Sequence, residues 1–191
     1  KAWKLLQQNY SQHLKAAHIH LHKALPAGAG LGGGSSNAAF TLMAVNEKFQ
    51  LHLSHEMLLQ YATLLGSDCA FFIFNKPCLA TGKGEVLTPM TLSLQEYKIL
   101  VVYPNIFIST QQAFANVQPR VPSQPLSYAI QQPVEEWHHV LKNDFEEVIF
   151  PLYPAIASIK QQLYEAGAVY AAMSGSGSAV FGLFKNEVPQ L

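Results

Sequence analysis

Apolar positions recur with the period of an α-helix in several parts of the chain. Near the start, Trp3, Leu6, Tyr10 and Leu14 fall on one helical face. Ser54 precedes another such stretch, where it is a candidate N-cap. Periodicity and capping signals together predict helices over residues 2–14, 37–49, 54–66, 110–116, 134–148 and 155–166.

Alternating or continuous short apolar runs mark the predicted strands. Ile19 and Leu21 alternate with His18, His20 and His22, which is typical of a half-buried strand. Patterns of these two kinds predict strands over residues 18–22, 70–74, 78–80, 86–87, 97–103, 168–173 and 179–184. Because strands and helices mix without strict alternation, the order favours an α+β fold over a doubly wound parallel sheet.

Two domains are expected, with a boundary near residues 88–98. The N-terminal domain would span residues 1–90 and the C-terminal domain residues 91–191. Within the second domain, the Pro- and Gln-rich stretch 117–134 is expected to be a long surface connection.

The charge balance narrows the classes of ligand. Twelve Lys and Arg balance twelve Asp and Glu, and only 13% of residues are charged. A neutral chain of this kind argues against bulk electrostatic binding to nucleic acid or to an anionic membrane. An anionic ligand would have to be held locally, by backbone amides and a few side chains. Cys69 and Cys78 lie among apolar residues and are expected to be buried thiols rather than a disulfide.

The segment 26–37 reads PAGAGLGGGSSN and comes directly before a predicted helix. Glycines let a backbone approach a ligand closely, and a helix start presents unpaired N–H groups and positive potential. This chemistry suits a polyphosphate. A flexible linker is disfavoured, because patterned structure is predicted on both sides.

Two known phosphate-binding motifs fit the segment less well. Residues 28–33 match the G-x-G-x-x-G pattern, but the strand before them alternates polar and apolar positions, whereas a Rossmann strand is buried. A Walker A loop requires Gly-Lys-Ser or Gly-Lys-Thr, and no lysine follows these glycines.

The segment PAGAGLGGGSSNAA resembles the second signature motif of the GHMP kinases, which include galactokinase, homoserine kinase and mevalonate kinase. Three further stretches resemble that family in the same order: LGSDCAFF at 65–72, TGKGE at 81–85 and MSGSGSAVF at 173–181. Residues 142–145 also match a recurrent Asn-Asp pair at a helix. The resemblance implies the GHMP kinase fold. Its N-terminal part is like the second domain of a small-subunit ribosomal protein, and its C-terminal part is a ferredoxin-like α/β domain.

The resemblance also implies roles for particular residues. Asp68 would be the catalytic aspartate, and Ser36 a contact for Mg²⁺. ATP would be bound by the first glycine segment: Pro26, Ala27, Gly28, Ala29, Gly30, Leu31, Gly32, Gly33, Gly34, Ser35 and Ser36. A second glycine loop near the triphosphate would consist of Ser174, Gly175, Ser176 and Gly177. The acceptor would be bound by Asn37, Asp68, Lys83, Thr110 and Phe114, with Phe114 stacking on a cytosine base.

Within the family, the triple glycine before Ser-Ser-Asn-Ala-Ala is most similar to the kinases that phosphorylate the 2-hydroxyl of 4-diphosphocytidyl-2-C-methyl-D-erythritol. That step belongs to non-mevalonate isoprenoid biosynthesis. The resemblance implies a cytoplasmic enzyme, a monomer or homodimer, with no nucleic-acid or membrane partner. A mevalonate or homoserine type of kinase, or a nucleotide-binding fragment without turnover, remains an alternative.

The family carries a first signature motif, with a lysine that pairs with the catalytic aspartate, upstream of the residues matched here. The chain begins Lys-Ala-Trp rather than with Met. We therefore expect an N-terminally truncated kinase that lacks the first strands of its ATP-binding domain.

Overall fold

A computed structural model describes residues 1–118 and 120–189. The chain divides into two compact units. Unit 1 contains residues 1–27 and 32–91, and unit 2 contains residues 28–31 together with the described residues from Leu92 onward. The division after Thr91 lies beside the expected boundary, but the four residues 28–31 belong to the second unit.

Unit 1 is mainly helical. Its helices are α1 (Ala2–Tyr10), α2 (Gly33–Lys48), α3 (His55–Leu65) and α4 (Cys69–Phe74), followed by the strands β1 (Cys78–Thr81) and β2 (Val86–Pro89). The two strands form an antiparallel hairpin in which Thr81 pairs with Val86. One apolar cluster joins the helices, with Leu6, Leu42 and Ala62 fully buried in it.

Unit 2 combines a three-stranded sheet with helices. Its elements are β3 (Lys98–Val102), α5 (Thr110–Asn116), α6 (Leu126–Ala129), a 3₁₀ turn (Val134–Glu136), α7 (Trp137–Val140), α8 (Phe145–Leu152), α9 (Pro154–Glu165), β4 (Tyr170–Met173) and β5 (Val180–Phe184). The strand order is β3-β5-β4, and both pairings are antiparallel.

Both faces of this sheet are covered. Val180 and Phe184 of β5 pack with Ile149, Ile156 and Leu163 of α8 and α9. Leu183, which alternates with them, packs in a second cluster with Trp137 and Tyr170, whose rings meet edge to face at 5.5 Å. β5 is therefore buried from both sides, which explains its nearly continuous apolar sequence.

Several sequence predictions are confirmed. Ser54 caps α3, because its side chain accepts a hydrogen bond from the Met57 amide at 3.2 Å. The helix predicted at 110–116 has those bounds, and the helix predicted at 155–166 begins at Pro154 and ends at Glu165. Both cysteines are free, as predicted, but only Cys69 is buried, whereas Cys78 is partly exposed.

The strand predicted at 18–22 is wrong. No regular element is assigned between α1 and α2, and Ile19 and Leu21 are both more than half exposed. A strand needs a paired neighbour, and none of the described residues pairs with this segment. The amphipathic alternation is present without the ladder that would make it a strand.

The strand predicted at 70–74 is also wrong, since this run forms α4. A short continuous apolar run fits a buried helix as well as a buried strand. Cys69, Ala70 and Ile73 share the buried face, which is helical spacing.

The single helix predicted over 134–148 is broken into three pieces. The 3₁₀ turn ends at Glu136 and α7 ends at Val140. Leu141 then takes an extended conformation (ψ 127°), and α8 begins at Phe145. Asn143 lies in this break, and its side-chain oxygen accepts a hydrogen bond from the Phe145 amide at 3.0 Å. Its local hydrogen bonds favour a new helix start over a continuous helix.

Two smaller corrections concern helix ends. α1 ends at Tyr10, four residues before the predicted limit, and α2 begins at Gly33 rather than at residue 37.

Among the described residues, no helix has the length and apolar character needed to cross a membrane.

Candidate functional site

Residues 28–31 of the glycine-rich segment, here called the first glycine turn, lie in unit 2. Gly28 and Gly30 have φ values of 73° and 76°, which L side chains rarely adopt. A Cβ on Gly30 would overlap the carbonyl oxygen of Ser174. The Gly30 carbonyl accepts a hydrogen bond from the Ser174 hydroxyl at 2.8 Å, and the Ala29 carbonyl accepts one from the Ala179 amide at 2.9 Å.

The second glycine loop, residues 174–177, therefore packs directly against this turn. Its ends are closed by a bond from the Ser174 amide to the Ala179 carbonyl at 2.8 Å. Inside the loop, the Gly177 amide donates to the Ser174 carbonyl at 3.0 Å. Ser178 is fully buried and donates to the Ile106 carbonyl, while Gly175 is exposed and Ser176 is partly exposed. The structure thus brings together two stretches that are far apart in sequence.

Residues 32–37 of the glycine-rich segment form the start of α2 in unit 1. Gly32 is the N-cap, with φ 66°, and no side chain among the described residues caps the helix. The first amides of a helix have no acceptor within it, so those of the first turn point outward. A Cβ on Gly33 or Gly34 would meet no described atom within 4 Å. A 16-residue helix with this start is suited to binding an anion.

The other residues predicted to bind ATP, and Asn37, which is predicted to bind the acceptor, lie next to these glycines in sequence. Ser35, Ser36 and Asn37 lie in the first turns of α2 and are partly exposed. Leu31 is also partly exposed, whereas Pro26 and Ala27 are exposed residues of unit 1.

Asp68 lies at the N-cap position of α4 and is exposed. The Ser67 hydroxyl donates to its Oδ1 at 3.4 Å. A Cβ on Gly84 would lie 3.2 Å from the same oxygen, so the turn between β1 and β2 passes beside the carboxylate. Within that turn, the Lys83 amide donates to Glu85 Oε2 at 2.6 Å, while the Lys83 side chain is exposed.

Asp68 and the start of α2 belong to the same unit, and residues next to each of them in sequence pack together. A Cβ on Gly32 would lie 2.7 Å from the Phe72 ring, so the aromatic ring of α4 packs on the N-cap of α2. Cys69 is buried behind Asp68, and this burial raises the pKa of its thiol. The carboxylate and the helix start are therefore parts of one packed structure.

The residues predicted to bind the acceptor base lie on α5 in unit 2. Thr110 is the first residue of that helix and is exposed, and Ser109 caps the helix by accepting a bond from the Gln112 amide. Phe114 is 60% exposed although one edge of its ring meets Phe145, with centroids 4.9 Å apart. An aromatic ring exposed to this degree can stack on a planar ligand.

Asn143 is a residue whose role the sequence did not predict. Its side-chain nitrogen donates to the carbonyls of Met173 and Gly175, at 2.7 and 2.8 Å. The Asn-Asp pair was recognised as a recurrent feature, but nothing in the sequence connects it with a loop thirty positions later. Only the tertiary structure places these atoms together.

The side chains available as ligands determine which metal ion the site could hold. Among the residues that the structure describes, no group of three or more His, Cys, Asp or Glu side chains could hold an ion. Mg²⁺ does not require such a group, since it usually keeps several waters and binds one or two protein oxygens together with substrate phosphates. The Ser36 hydroxyl, in the first turn of α2, is one oxygen of that kind.

Comparisons with protein families place both parts of the chain. Residues 1–76 match the family described as GHMP kinases N terminal domain, and residues 127–190 match GHMP kinases C terminal.

Two similar proteins carry the same kinase name. A 4-diphosphocytidyl-2-C-methyl-D-erythritol kinase of Bacteroides fragilis is 52% identical over 187 residues, which cover 98% of this chain and 68% of the relative. The corresponding kinase of Bacteroides thetaiotaomicron is 53% identical with the same coverage.

Solved structures show the same fold. A crystal structure of 4-(cytidine 5'-diphospho)-2C-methyl-D-erythritol kinase aligns with a TM-score of 0.74 and 29% identity, covering 95% of this chain and 68% of that one. A homoserine kinase from Cytophaga hutchinsonii shares the fold alone, with a TM-score of 0.59 at 17% identity, covering 86% of this chain and 59% of that one. The chain thus belongs to the GHMP kinase family, with both its N-terminal and its C-terminal parts represented.

Proposed function

We propose that this protein transfers the γ-phosphoryl group of ATP to the 2-hydroxyl of 4-diphosphocytidyl-2-C-methyl-D-erythritol. The observation that carries the proposal is the arrangement in unit 1, where Phe72 of α4 packs on the uncapped start of α2 and Asp68 begins α4. An anion-binding helix start and a carboxylate within one packed structure are the two elements that phosphoryl transfer to an alcohol requires. Identity above 50% to kinases named for this substrate supports the choice of acceptor.

The triphosphate is held chiefly by backbone amides. The outward-pointing amides of Gly33, Gly34 and Ser35 donate to phosphate oxygens, and the positive end of the α2 dipole adds to the attraction. The absence of side chains at Gly33 and Gly34 leaves room for the phosphates to approach the backbone. We include the second glycine loop, residues 174–177, as a further set of backbone contacts.

Mg²⁺ is part of the proposal. When bound, it neutralises charge on the phosphate oxygens as the transfer proceeds. Ser36 would contribute a hydroxyl ligand from the first turn of α2. Because backbone amides and the metal ion would balance the phosphate charge, the site does not need many cationic side chains. The formal net charge of zero is compatible with this arrangement.

Asp68 acts on the acceptor. Its carboxylate accepts a hydrogen bond from the 2-hydroxyl and takes the proton as the hydroxyl oxygen bonds to the γ-phosphorus. The bond between the γ-phosphorus and the bridging oxygen breaks, and ADP leaves with the electron pair. Exposure of Asp68 at the start of α4 gives a substrate hydroxyl access to it.

Other residues orient the acceptor. Lys83 is exposed on a turn fixed beside Asp68, where its ammonium can pair with the diphosphate of the acceptor. Asn37 contributes a polar side chain near the start of α2. Thr110 and Phe114 bind the cytosine, Phe114 by stacking. The proposal includes a cytoplasmic location and a monomer or homodimer, on the family resemblance.

The test is a coupled ADP-release assay on the complete protein with three acceptors: the cytidyl erythritol, mevalonate and homoserine. We expect turnover with the first acceptor and at least about a hundredfold lower kcat/KM with the other two. ADP release only with mevalonate or homoserine would move the protein to another branch of the family. ATP binding without turnover on any acceptor would instead indicate a nucleotide-binding module.

A further inference from the structure

The break between α7 and α8 presents a side chain to the second glycine loop. Asn143 donates from Nδ2 to the carbonyl oxygens of Met173 and Gly175, which flank Ser174. Its Oδ1 accepts from the Phe145 amide at 3.0 Å. Because both partners of Nδ2 are acceptors and the partner of Oδ1 is a donor, only one orientation of the amide satisfies all three bonds.

The loop held by Asn143 in turn holds the first glycine turn. Between the two fixed carbonyls, Ser174 donates through its hydroxyl to the Gly30 carbonyl at 2.8 Å. Ala179, just after the loop, donates to the Ala29 carbonyl at 2.9 Å. All of these residues belong to unit 2, and the chain then runs from Leu31 into Gly32, the N-cap of α2.

The glycine positions of the two segments have no side chains to restrict their backbone. Gly28, Gly30, Gly175 and Gly177 all have positive φ, and glycine has many alternative backbone conformations. A preorganised anion site therefore needs hydrogen bonds from other parts of the chain to hold these backbone segments. Asn143, just before α8, supplies two such bonds.

We propose that Asn143 is a positioning residue for the nucleotide: its amide fixes the carbonyls on both sides of Ser174 and thereby sets the first glycine turn. This inference rests on the proposed function, since it assigns the positioned loops to ATP. Asn143 acts through Ser174 and Gly30 and does not itself contact the phosphates.

The sharpest test is Asn143→Asp in the complete protein. The substitution keeps the size of the side chain and the acceptor for the Phe145 amide, but it sets a carboxylate oxygen against two carbonyl oxygens. We expect the KM for ATP and the dissociation constant of a non-hydrolysable ATP analogue to rise by about tenfold to a hundredfold. The KM for the acceptor should remain within about twofold, because the affected loops are assigned to the nucleotide.

The pH dependence of the same variant distinguishes positioning from general damage. Protonation of the introduced carboxyl restores one O–H donor toward the carbonyls. The two facing carbonyl oxygens disfavour the ionised form and raise the pKa of the introduced carboxyl above its usual range. The ratio of variant to wild-type dissociation constants should therefore shrink several-fold between about pH 8 and about pH 5.5. A merely destabilised protein would lose active fraction, which lowers kcat without changing the KM for ATP or this ratio.

Asn9→Asp is the matched control, because Asn9 makes one exposed bond within α1 and the chemical change is the same. It should leave both constants unchanged. If Asn143→Asp does not fold, Ser174→Ala removes only the hydroxyl bond to Gly30 and should raise the KM for ATP by about threefold to tenfold.

A folded Asn143→Asp protein with wild-type affinity for ATP would overturn the inference, as would an unchanged KM for ATP in Ser174→Ala if that variant has to be used. Failure of the wild-type protein to bind ATP is a different outcome, since it would remove the proposed function itself.

Discussion

At the scale of single residues, glycines within one short segment have two distinct structural roles. Gly30 is required by the fold, because its φ is positive and a Cβ would overlap the Ser174 carbonyl. Gly33 and Gly34 are not required in this sense, since a Cβ there meets no described atom within 4 Å. We therefore expect glycine at these two positions to serve a ligand that approaches the backbone, rather than the packing of the protein.

This difference predicts opposite effects for two substitutions. Gly33→Ala should leave the free energy of unfolding unchanged or raise it by up to about 1 kcal/mol, because alanine favours helix and loses less backbone entropy on folding. The same change should raise the KM for ATP by about tenfold or more, because its methyl group obstructs the phosphates. Thermal unfolding and calorimetric titration with the ATP analogue measure the two effects.

Gly30→Ala is the comparison, and it should lower the free energy of unfolding by about 2 kcal/mol or more, since the backbone must move. If Gly33→Ala bound ATP as tightly as the wild type, the first turn of α2 would not be the phosphate site.

The residues to which we assign chemistry were easier to predict from the sequence than the residues that support them. Asp68 and the glycines are contiguous with recognisable motifs, and a helix start after glycines has a direct physical meaning. Asn143 and Phe72 act through contacts with residues distant in sequence, Phe72 on Gly32 and Asn143 on the loop after Met173. No local pattern encodes such pairs, so they become visible only with the fold.

At the scale of elements, α8 is fixed to the end of β4 by a buried charge. Glu146 is 6% exposed, and its Oε1 accepts from the Met173 amide at 2.8 Å. Its Oε2 pairs with Lys160 of α9 at 2.5 Å. One carboxylate thus joins two helices and a strand just before the second glycine loop.

Replacing this carboxylate should weaken unit 2. Glu146→Gln leaves an acceptor for the Met173 amide but removes the charge that pairs with Lys160. We expect the free energy of unfolding to fall by about 1–3 kcal/mol, measured by urea denaturation. Glu147→Gln is the matched control on the next residue, where exposed pairs with Lys142 and Arg120 are screened by solvent. Equal midpoints for the two variants would contradict the role assigned to Glu146.

Element boundaries show where sequence patterns are sufficient. The helix at Thr110–Asn116 was predicted with its observed bounds, because Ser109 caps its start and Val117 leaves the helical conformation. The run at 70–74 was assigned to the wrong element type, because an apolar run of that length has no period to distinguish helix from strand. The break at 141–144 was missed because the apolar period continues across it, while Asn143 bonds locally and to the distant loop.

At the scale of the whole molecule, zero net charge and a phosphate-binding role are compatible. A cationic surface would attract phosphate non-specifically, whereas helix amides bind it only where the backbone is oriented for it. The order of motifs along the chain predicted the family fold, which composition alone could not do. The assignment of residues 28–31 to the second unit was not predictable, since it depends on the bonds from Ser174 and Ala179.

The most direct test follows the phosphorus atom itself. Phosphorus NMR of the complete protein with Mg²⁺, ATP and the cytidyl erythritol should show ADP and a new phosphate monoester on the 2-hydroxyl. Asp68→Asn should form this product at least about a hundredfold more slowly, because the proton acceptor is lost. The control Glu56→Gln, at an exposed carboxylate in the first turn of α3, should match the wild type. No monoester from the wild type, or a rate for Asp68→Asn within about threefold of it, would contradict the account.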